Sequence, residues 1–269
     1  MPEDRSLRIQ SNDPVGDAYY LLCLDLDREP PAWQPGQFAM LSTGDRYDPL
    51  LRRPFSIYNS YDPADPPGSL KFLYKIFGRG SAIMAAARPG DRLDCLFPLG
   101  QGFSPDLSGG GRLILTAGGA GIASLHPLAA AEVRAGRAPL LLFGARGAAE
   151  LPAAAPTTAL GVETLIATDD GSSGHKGYVS ELLDGFLAGR AGQGDVVCAC
   201  GPTPMMKETA RVAASRGAAC HLALESTMAC GFGVCVGCVV GTREGGRGEE
   251  RYLRTCIDGP VMNAAEIVW

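Results

Sequence analysis

The sequence is poor in the features that mark membrane, nucleic-acid-binding and disulfide-stapled proteins. No stretch approaches the roughly 18 consecutive apolar residues of a membrane helix. The opening MPEDRSLRIQ is polar and has no signal-peptide core, so a soluble, cytoplasmic protein without membrane contact is expected. Neither a run of five like charges nor a basic stripe interleaved with aromatics occurs, and the net charge is −5, which argues against nucleic acid as a partner. Histidine is scarce: His126, His175 and His221 are scattered, with no spacing that implies a catalytic pair. Internal repeats and low-complexity segments are also missing.

Cysteine is not scarce. The count of nine is odd and four crowd toward the C-terminus, which fits a reducing compartment and metal ligation better than a disulfide framework. Cys23, Cys95, Cys198, Cys200 and Cys220 lie mostly in apolar runs and read as buried small hydrophobes.

A chain of 269 residues is long enough for about two domains without disulfide support. Up to residue 103, short apolar and aromatic runs (YYLLCLDL, QFAMLST, FSIYNS, LKFLYKIF, RLDCLFP) alternate with Pro, Gly and Asp, as in a small antiparallel barrel. The glycine-rich joint SPDLSGGGR ends that rhythm. Residues 112–224 then alternate strand and helix patterns, predicting a parallel sheet with covering helices. Residues 225–269 form a cysteine- and glycine-rich tail too short for a hydrophobic core of its own.

The tail spaces Cys230, Cys235, Cys238 and Cys256 as C-x4-C-x2-C-x17-C, the pattern of a plant-type [2Fe–2S] site. Gly231, Gly233 and Gly237 lie between the ligands, where the backbone must wrap closely around inorganic sulfide. Backbone amides in such a loop can also tune the potential. The alternative is a zinc site, but zinc commonly uses two short knuckles. Three ligands in one loop and one standing alone favour the cluster.

In the α/β half, strand LILTA runs into GGAGIAS, placing Gly118, Gly119 and Gly121 at a strand-to-helix turn able to meet a pyrophosphate. The spacing is not G-x-G-x-x-G, and a tight turn without ligand explains the loop equally well. Strand DVVCAC leads directly to Cys200, Gly201 and Pro202, at the strand end where open α/β sheets bind ligands. In the barrel half, Arg53 stands beside Phe55 in LLRRPFSIYN; on a strand these two share a face and Ser56 takes the other, unless Pro54 bends the segment. An arginine beside an aromatic suits a phosphate with a flat ring, though a surface arginine is the plainer reading. Gly78, Gly80 and Ser81 in LYKIFGRGS form a second loop that could meet phosphate, but the residues alone favour a hairpin turn.

In their order, RRPFS, GRGS, AGGAGIAS, TDDGSSGHKG, CGPTPMM and MACGFGVCVGC resemble the ferredoxin–NADP reductase-like superfamily. Among its members the chain is most similar to the electron-transfer subunits of bacterial type 1B dihydroorotate dehydrogenases; FPLGQGF and CIDGPVM fit as well. The resemblance implies a multidomain β plus α/β fold: an antiparallel FAD-binding β-barrel over 1–103, an NAD-binding α/β domain over 112–224 and a [2Fe–2S] domain over 225–269. It implies that Arg53, Pro54, Phe55 and Ser56 hold FAD, with Leu73, Tyr74 and Lys75 along it and Gly80 and Ser81 at its pyrophosphate. Gly118, Gly119, Gly121, Cys200, Gly201 and Pro202 are implied to place NAD against the flavin. Many superfamily members carry tyrosine where Phe55 stands, so ring contact can persist here but a hydroxyl contact cannot.

The implied partner is a catalytic FMN subunit that oxidises dihydroorotate, in a heterotetramer of two of each chain serving pyrimidine biosynthesis. Homologous subunits of sulfide dehydrogenases and of NADH-dependent ferredoxin:NADP oxidoreductases share the layout, and a zinc-stabilised binding module without flavin is a third reading. The choice between NAD and NADP stays open. Glu150 follows the second strand of the α/β half, near where a ribose-binding acid falls.

Overall fold

The computed structural model describes residues 1–43, 48–59, 68–190, 193–243 and 250–269. The first six strands are β1 (Glu3–Pro14), β2 (Tyr19–Asp25), β3 (Phe38–Leu41), β4 (Arg53–Ser56), β5 (Ser69–Lys75) and β6 (Arg92–Leu99), with helix α1 (Arg79–Ala86) between the last two. They form one antiparallel sheet in the order β4-β3-β6-β1-β2-β5. The sheet curls until its ends meet: Tyr58, just past β4, donates its N–H to the Lys71 carbonyl of β5 at 2.9 Å. The Asn59 side chain accepts the Lys71 N–H at 2.5 Å. The result is the nearly closed barrel that the strand rhythm predicts.

One strand lies outside the runs named in the sequence, and one local expectation changes. The polar opening segment is a twelve-residue strand, β1, in which Arg5, Leu7 and Ile9 alternate inward. Arg5 is tolerated inside because its guanidinium donates to the carbonyls of Arg28 and Glu29 and pairs with Glu3 at 2.6 Å. The GRGS segment is no hairpin turn. It starts α1, with the Ser81 hydroxyl accepting the N–H groups of Phe77 and Gly78 at 2.9 and 3.1 Å.

The α/β half runs through β7 (Leu113–Gly118), α2 (Ile122–Arg134), β8 (Leu140–Ala145), α3 (Ala155–Thr158), β9 (Glu163–Thr168), β10 (His175–Lys176), α4 (Val179–Leu187), β11 (Val196–Cys200), α5 (Thr203–Ser215) and β12 (Ala219–Ala223). In the tail follow β13 (Val239–Arg243), β14 (Glu250–Arg254) and β15 (Val261–Asn263). The sheet order is β10-β9-β8-β7-β11-β12-β15, parallel apart from β15. Every residue of β7 and β11 is buried, as expected of central strands covered on both faces. The chain order reverses between β7 and β11, the crevice where doubly wound sheets bind ligands.

The tail is less separate than its composition suggests. β15 adds an antiparallel edge to β12, and Leu224 donates its N–H to the Pro260 carbonyl at 2.9 Å. Met228, Cys238 and Cys256 pack on Phe38, Met40 and Leu99 of the barrel. The tail thus obtains its burial from the other two units, which compensates for its small size. No helix among the described residues is long and apolar enough to cross a membrane.

Candidate functional site

A cavity of about 1290 Å³ opens between the barrel and the carboxyl ends of the parallel strands. That exceeds the roughly 300–1,000 Å³ of a site for one small ligand. The barrel contributes Pro54, Phe55, Ser56, Leu73, Tyr74 and Lys75, and the sheet contributes Gly118, Gly119, Gly121, Cys200 and Pro202. Residues far apart in sequence are therefore brought to one surface.

Within β4 the side chains alternate. Phe55 turns to the barrel core and meets Tyr74 edge-on at 5.8 Å, whereas Ser56 crosses to α2 and bonds Ser124 at 2.7 Å. Strand β5 alternates too: Tyr74 points inward with its hydroxyl donating to Asn12 at 3.0 Å, while Leu73 joins the core of the α/β half. Arg53, Gly80, Gly201 and Ser81 do not line the cavity wall. Arg53 packs on α1, where a Cβ on Gly80 would lie 2.8 Å from its Nε.

Two loop ends touch at the sheet crevice. A Cβ on Gly121 would run into the Cys200 carbonyl, and one on Gly201 (φ +157°) would lie 3.0 Å from Gly118. Only glycines allow that approach. Cys200 is buried, and burial together with the Glu225 charge pushes its thiol up to about 12, against hydrogen bonds from Ser124 and Gly201. At pH 7 it is a neutral thiol.

Glu150 lines the cavity, and its carboxylate already has a partner. It is buried and paired with Lys75 at 2.5 Å across the barrel–sheet junction. Beside it Tyr19 lines the cavity, a residue that the pattern of β2 gives no reason to single out. Ser124, Glu225 and Met228 line it as well. Ser124 stands within the AGGAGIAS segment and Met228 opens MACGFGVCVGC, so position was a signal for those two. Asp169, in TDDGSSGHKG, reaches the wall from the turn after β9.

The four tail cysteines come together as two pairs. All four are free thiols: Cys235 donates its N–H to Cys230 Sγ at 3.5 Å, and the Cys238 and Cys256 thiols share a hydrogen bond. Among the described residues no three His, Cys, Asp or Glu side chains converge on a single ion. Two thiol pairs are the donor set that a two-iron cluster needs, two sulfurs to each metal. Burial would raise Cys230, but N–H groups of Cys235, Phe232 and Val234 and the Cys235 thiol outweigh it and bring the thiol down to about 6. The Gly237 N–H points at Cys235 Sγ at 3.4 Å. Such amides stabilise negative sulfur, whether of thiolate or of bound cluster. Gly231 holds φ +81° within this loop, against Met40 of the barrel.

The cluster loop and the cavity share a wall. Met228 lines the cavity and packs with Cys238 and Cys256. On the far side, Phe232, Val234 and Val236 are 50%, 74% and 56% exposed, an apolar rim around the loop.

Barrel, crevice-bearing sheet and paired thiols define a ferredoxin-reductase-like redox module with an iron–sulfur tail. The comparisons narrow this. Residues 225–268 match the family model for the iron–sulfur cluster binding domain of dihydroorotate dehydrogenase B. The chain is 38% identical over 239 residues to the dihydroorotate dehydrogenase B (NAD(+)) electron transfer subunit of Geobacillus thermodenitrificans, covering 87% of each chain. To the subunit of the same name from Geobacillus sp. (strain WCH70) it is 33% identical over 269 residues, 100% of both. The structure of an NADH-dependent reduced ferredoxin-NADP oxidoreductase superposes with a TM-score of 0.82 at 25% identity, covering 98% of this chain and 90% of that one. The chain belongs to the family of dihydroorotate dehydrogenase B electron transfer subunits.

Proposed function

We propose that this chain carries electrons from a catalytic, FMN-containing dihydroorotate dehydrogenase subunit by way of a [2Fe–2S] cluster and FAD to NAD+, in the cytoplasmic synthesis of pyrimidines. The observation that carries the reading is the wall shared through Met228 by the paired thiols and the cavity. Family membership supplies the substrate. The assembly is a heterotetramer of two subunits of each kind, with the apolar rim of Phe232, Val234 and Val236 turned to the catalytic partner.

When bound, the cluster supplies one-electron transfer and the flavin links it to the two-electron chemistry of a nicotinamide. The rest is done by side chains of this chain. Cys230 and Cys235 would hold one iron, Cys238 and Cys256 the other. In the cavity, Pro54, Phe55 and Ser56 with Leu73 and Tyr74 hold the flavin, while Arg53, Gly80 and Ser81 anchor its phosphates at α1. Gly118, Gly119, Gly121 and the Cys200-Gly201-Pro202 corner set the nicotinamide against it. Ser56, Ser124 and Cys200 would present only neutral groups to a bound ring. Buried Leu73, Ala123 and Ala223 exclude water there.

None of the three histidines lines the cavity. His126 is buried, stacked on Tyr58 at 4.3 Å and bonded to Thr157, and lies outside the cavity lining. Removal of the substrate proton is assigned to the catalytic partner. Co-expression with the products of neighbouring genes, followed by assay of orotate formation coupled to NAD+ reduction, tests the assignment.

A second reading has a specific observation behind it, the close superposition on an NADH-dependent reduced ferredoxin-NADP oxidoreductase. Under that reading the partner is a larger flavin subunit. Its co-purification without orotate formation would replace the dihydroorotate assignment.

A further inference from the structure

Cysteine apart, the segment from Ser226 to Thr242 that carries Cys230, Cys235 and Cys238 has no ionisable side chain, whereas the turn around Cys256 has two, Arg254 and Asp258. That turn is closed on itself. Ile257 and Asp258 donate their N–H groups to the Arg254 carbonyl at 3.1 and 2.8 Å, and Asp258 Oδ2 accepts the Arg254 N–H at 2.8 Å. The Arg254 side chain reaches out of the turn, and its Nη1 donates to the Gly233 carbonyl at 3.1 Å. Gly233 lies between Cys230 and Cys235 with φ +87°, so close to the turn that a Cβ would stand 2.7 Å from Ile257. One guanidinium therefore joins the three-cysteine loop to the turn of the lone cysteine.

The peptide that Arg254 holds is one that serves a ligand. The Gly233 carbonyl and the Val234 N–H belong to a single planar trans unit and point in opposite directions. With the carbonyl held on Arg254, the Val234 N–H is turned to the Cys230 sulfur, to which it bonds. Asp258 offsets the guanidinium charge only in part, because its Oδ2 lies 3.7 Å from Arg254 Nε.

We propose that Arg254 is a positioning residue for the iron–sulfur centre, aiming the Val234 amide at the Cys230 sulfur and favouring the reduced state of the cluster by its charge. This rests on the reading that the four cysteines hold a [2Fe–2S] cluster. Uptake of one electron makes the centre more negative by one unit, so a cation beside it raises its potential and a carboxylate lowers it. Both side chains are partly exposed, and screening by water and salt keeps the effect modest.

The test is a potentiometric titration of the full chain loaded with FAD and cluster, the reduced centre being read by electron paramagnetic resonance and iron and acid-labile sulfide being counted per chain. Arg254→Gln removes the charge and is expected to shift the one-electron equilibrium against reduction by up to about tenfold, roughly 59 mV. Arg254→Lys keeps the charge and is expected to restore most of that shift. Asp258→Asn leaves an oxygen to accept the Arg254 N–H, removes the carboxylate charge, and is expected to shift the equilibrium toward reduction. An unchanged potential in iron-replete Arg254→Gln overturns the proposal. So does a shift of Arg254→Gln and Asp258→Asn in the same direction, which assigns the effect to disturbance of the turn, and so does a potential in Arg254→Lys as low as in Arg254→Gln. Where Arg254→Gln takes up no iron, Asp258→Asn decides: a raised potential supports the proposal, and an unchanged or lowered one overturns it. An unmodified chain that binds zinc and no iron overturns the cluster reading, and the proposal with it.

Discussion

The hydroxyl oxygens of Ser56 in β4 and Ser124 in α2 lie 2.7 Å apart, and Ser124 also bonds the Cys200 thiol at the end of β11. Three small polar groups from three elements thus join the barrel to the sheet at the cavity wall. Ser124→Ala removes the middle member, leaving Ser56 and Cys200 without that partner. A loss of about 1 kcal/mol in unfolding free energy is expected, read from urea denaturation. No change would mean that the contact does not hold the two units together.

Lys75 and Glu150 make a second link across the same junction. The Lys75 side chain is 25% exposed and that of Glu150 9%, so removing the cation strands a nearly buried carboxylate. Lys75→Met should cost up to about 3 kcal/mol, less than for a fully buried pair because water reaches the lysine. Lys75→Met combined with Glu150→Leu should recover most of it. A double-mutant cycle in denaturant measures the coupling.

Gly231 adopts φ +81° where a Cβ would strike Met40. Gly231→Ala combines about 1–2 kcal/mol of backbone strain with that clash. Iron and acid-labile sulfide per chain should fall while FAD content is kept. Full iron content in the variant would show that the loop need not follow this path.

Asp195 is buried and bonded by the Arg190 guanidinium, which lowers its pKa below the usual 3.8, with help from the Arg112 N–H. A depressed folded pKa contributes stability in full above the unfolded value, and that contribution is lost as pH falls through the folded pKa. The acid limb below about pH 4 should therefore be shallower in Asp195→Asn than in the unmodified protein. Thermal unfolding across that range checks it.

How much of this was legible in the sequence varied with the range of the interactions involved. The four cysteines were readable because ligand spacing along one loop is a local property. The opposite facing of Phe55 and Ser56 in β4 was readable for the same reason. The strand β1 was not, since Arg5 occupies an inward position where an apolar residue is expected and is held by carbonyls of the segment after β2. The return of β15 to the sheet involves three residues, too few for any periodicity. Tyr19 and Glu150 take their meaning from docking of the barrel on the sheet, and neither strand nor turn pattern carries that information.

The central claim is that electrons pass through the tail cluster. The most direct measurement is orotate formation coupled to NAD+ reduction in the assembled complex, comparing the unmodified chain with Cys235→Ser, alongside iron and FAD content. The account predicts that the variant loses the cluster absorbance and NAD+ reduction together while FAD remains. Undiminished NAD+ reduction in a complex shown to lack iron would contradict it.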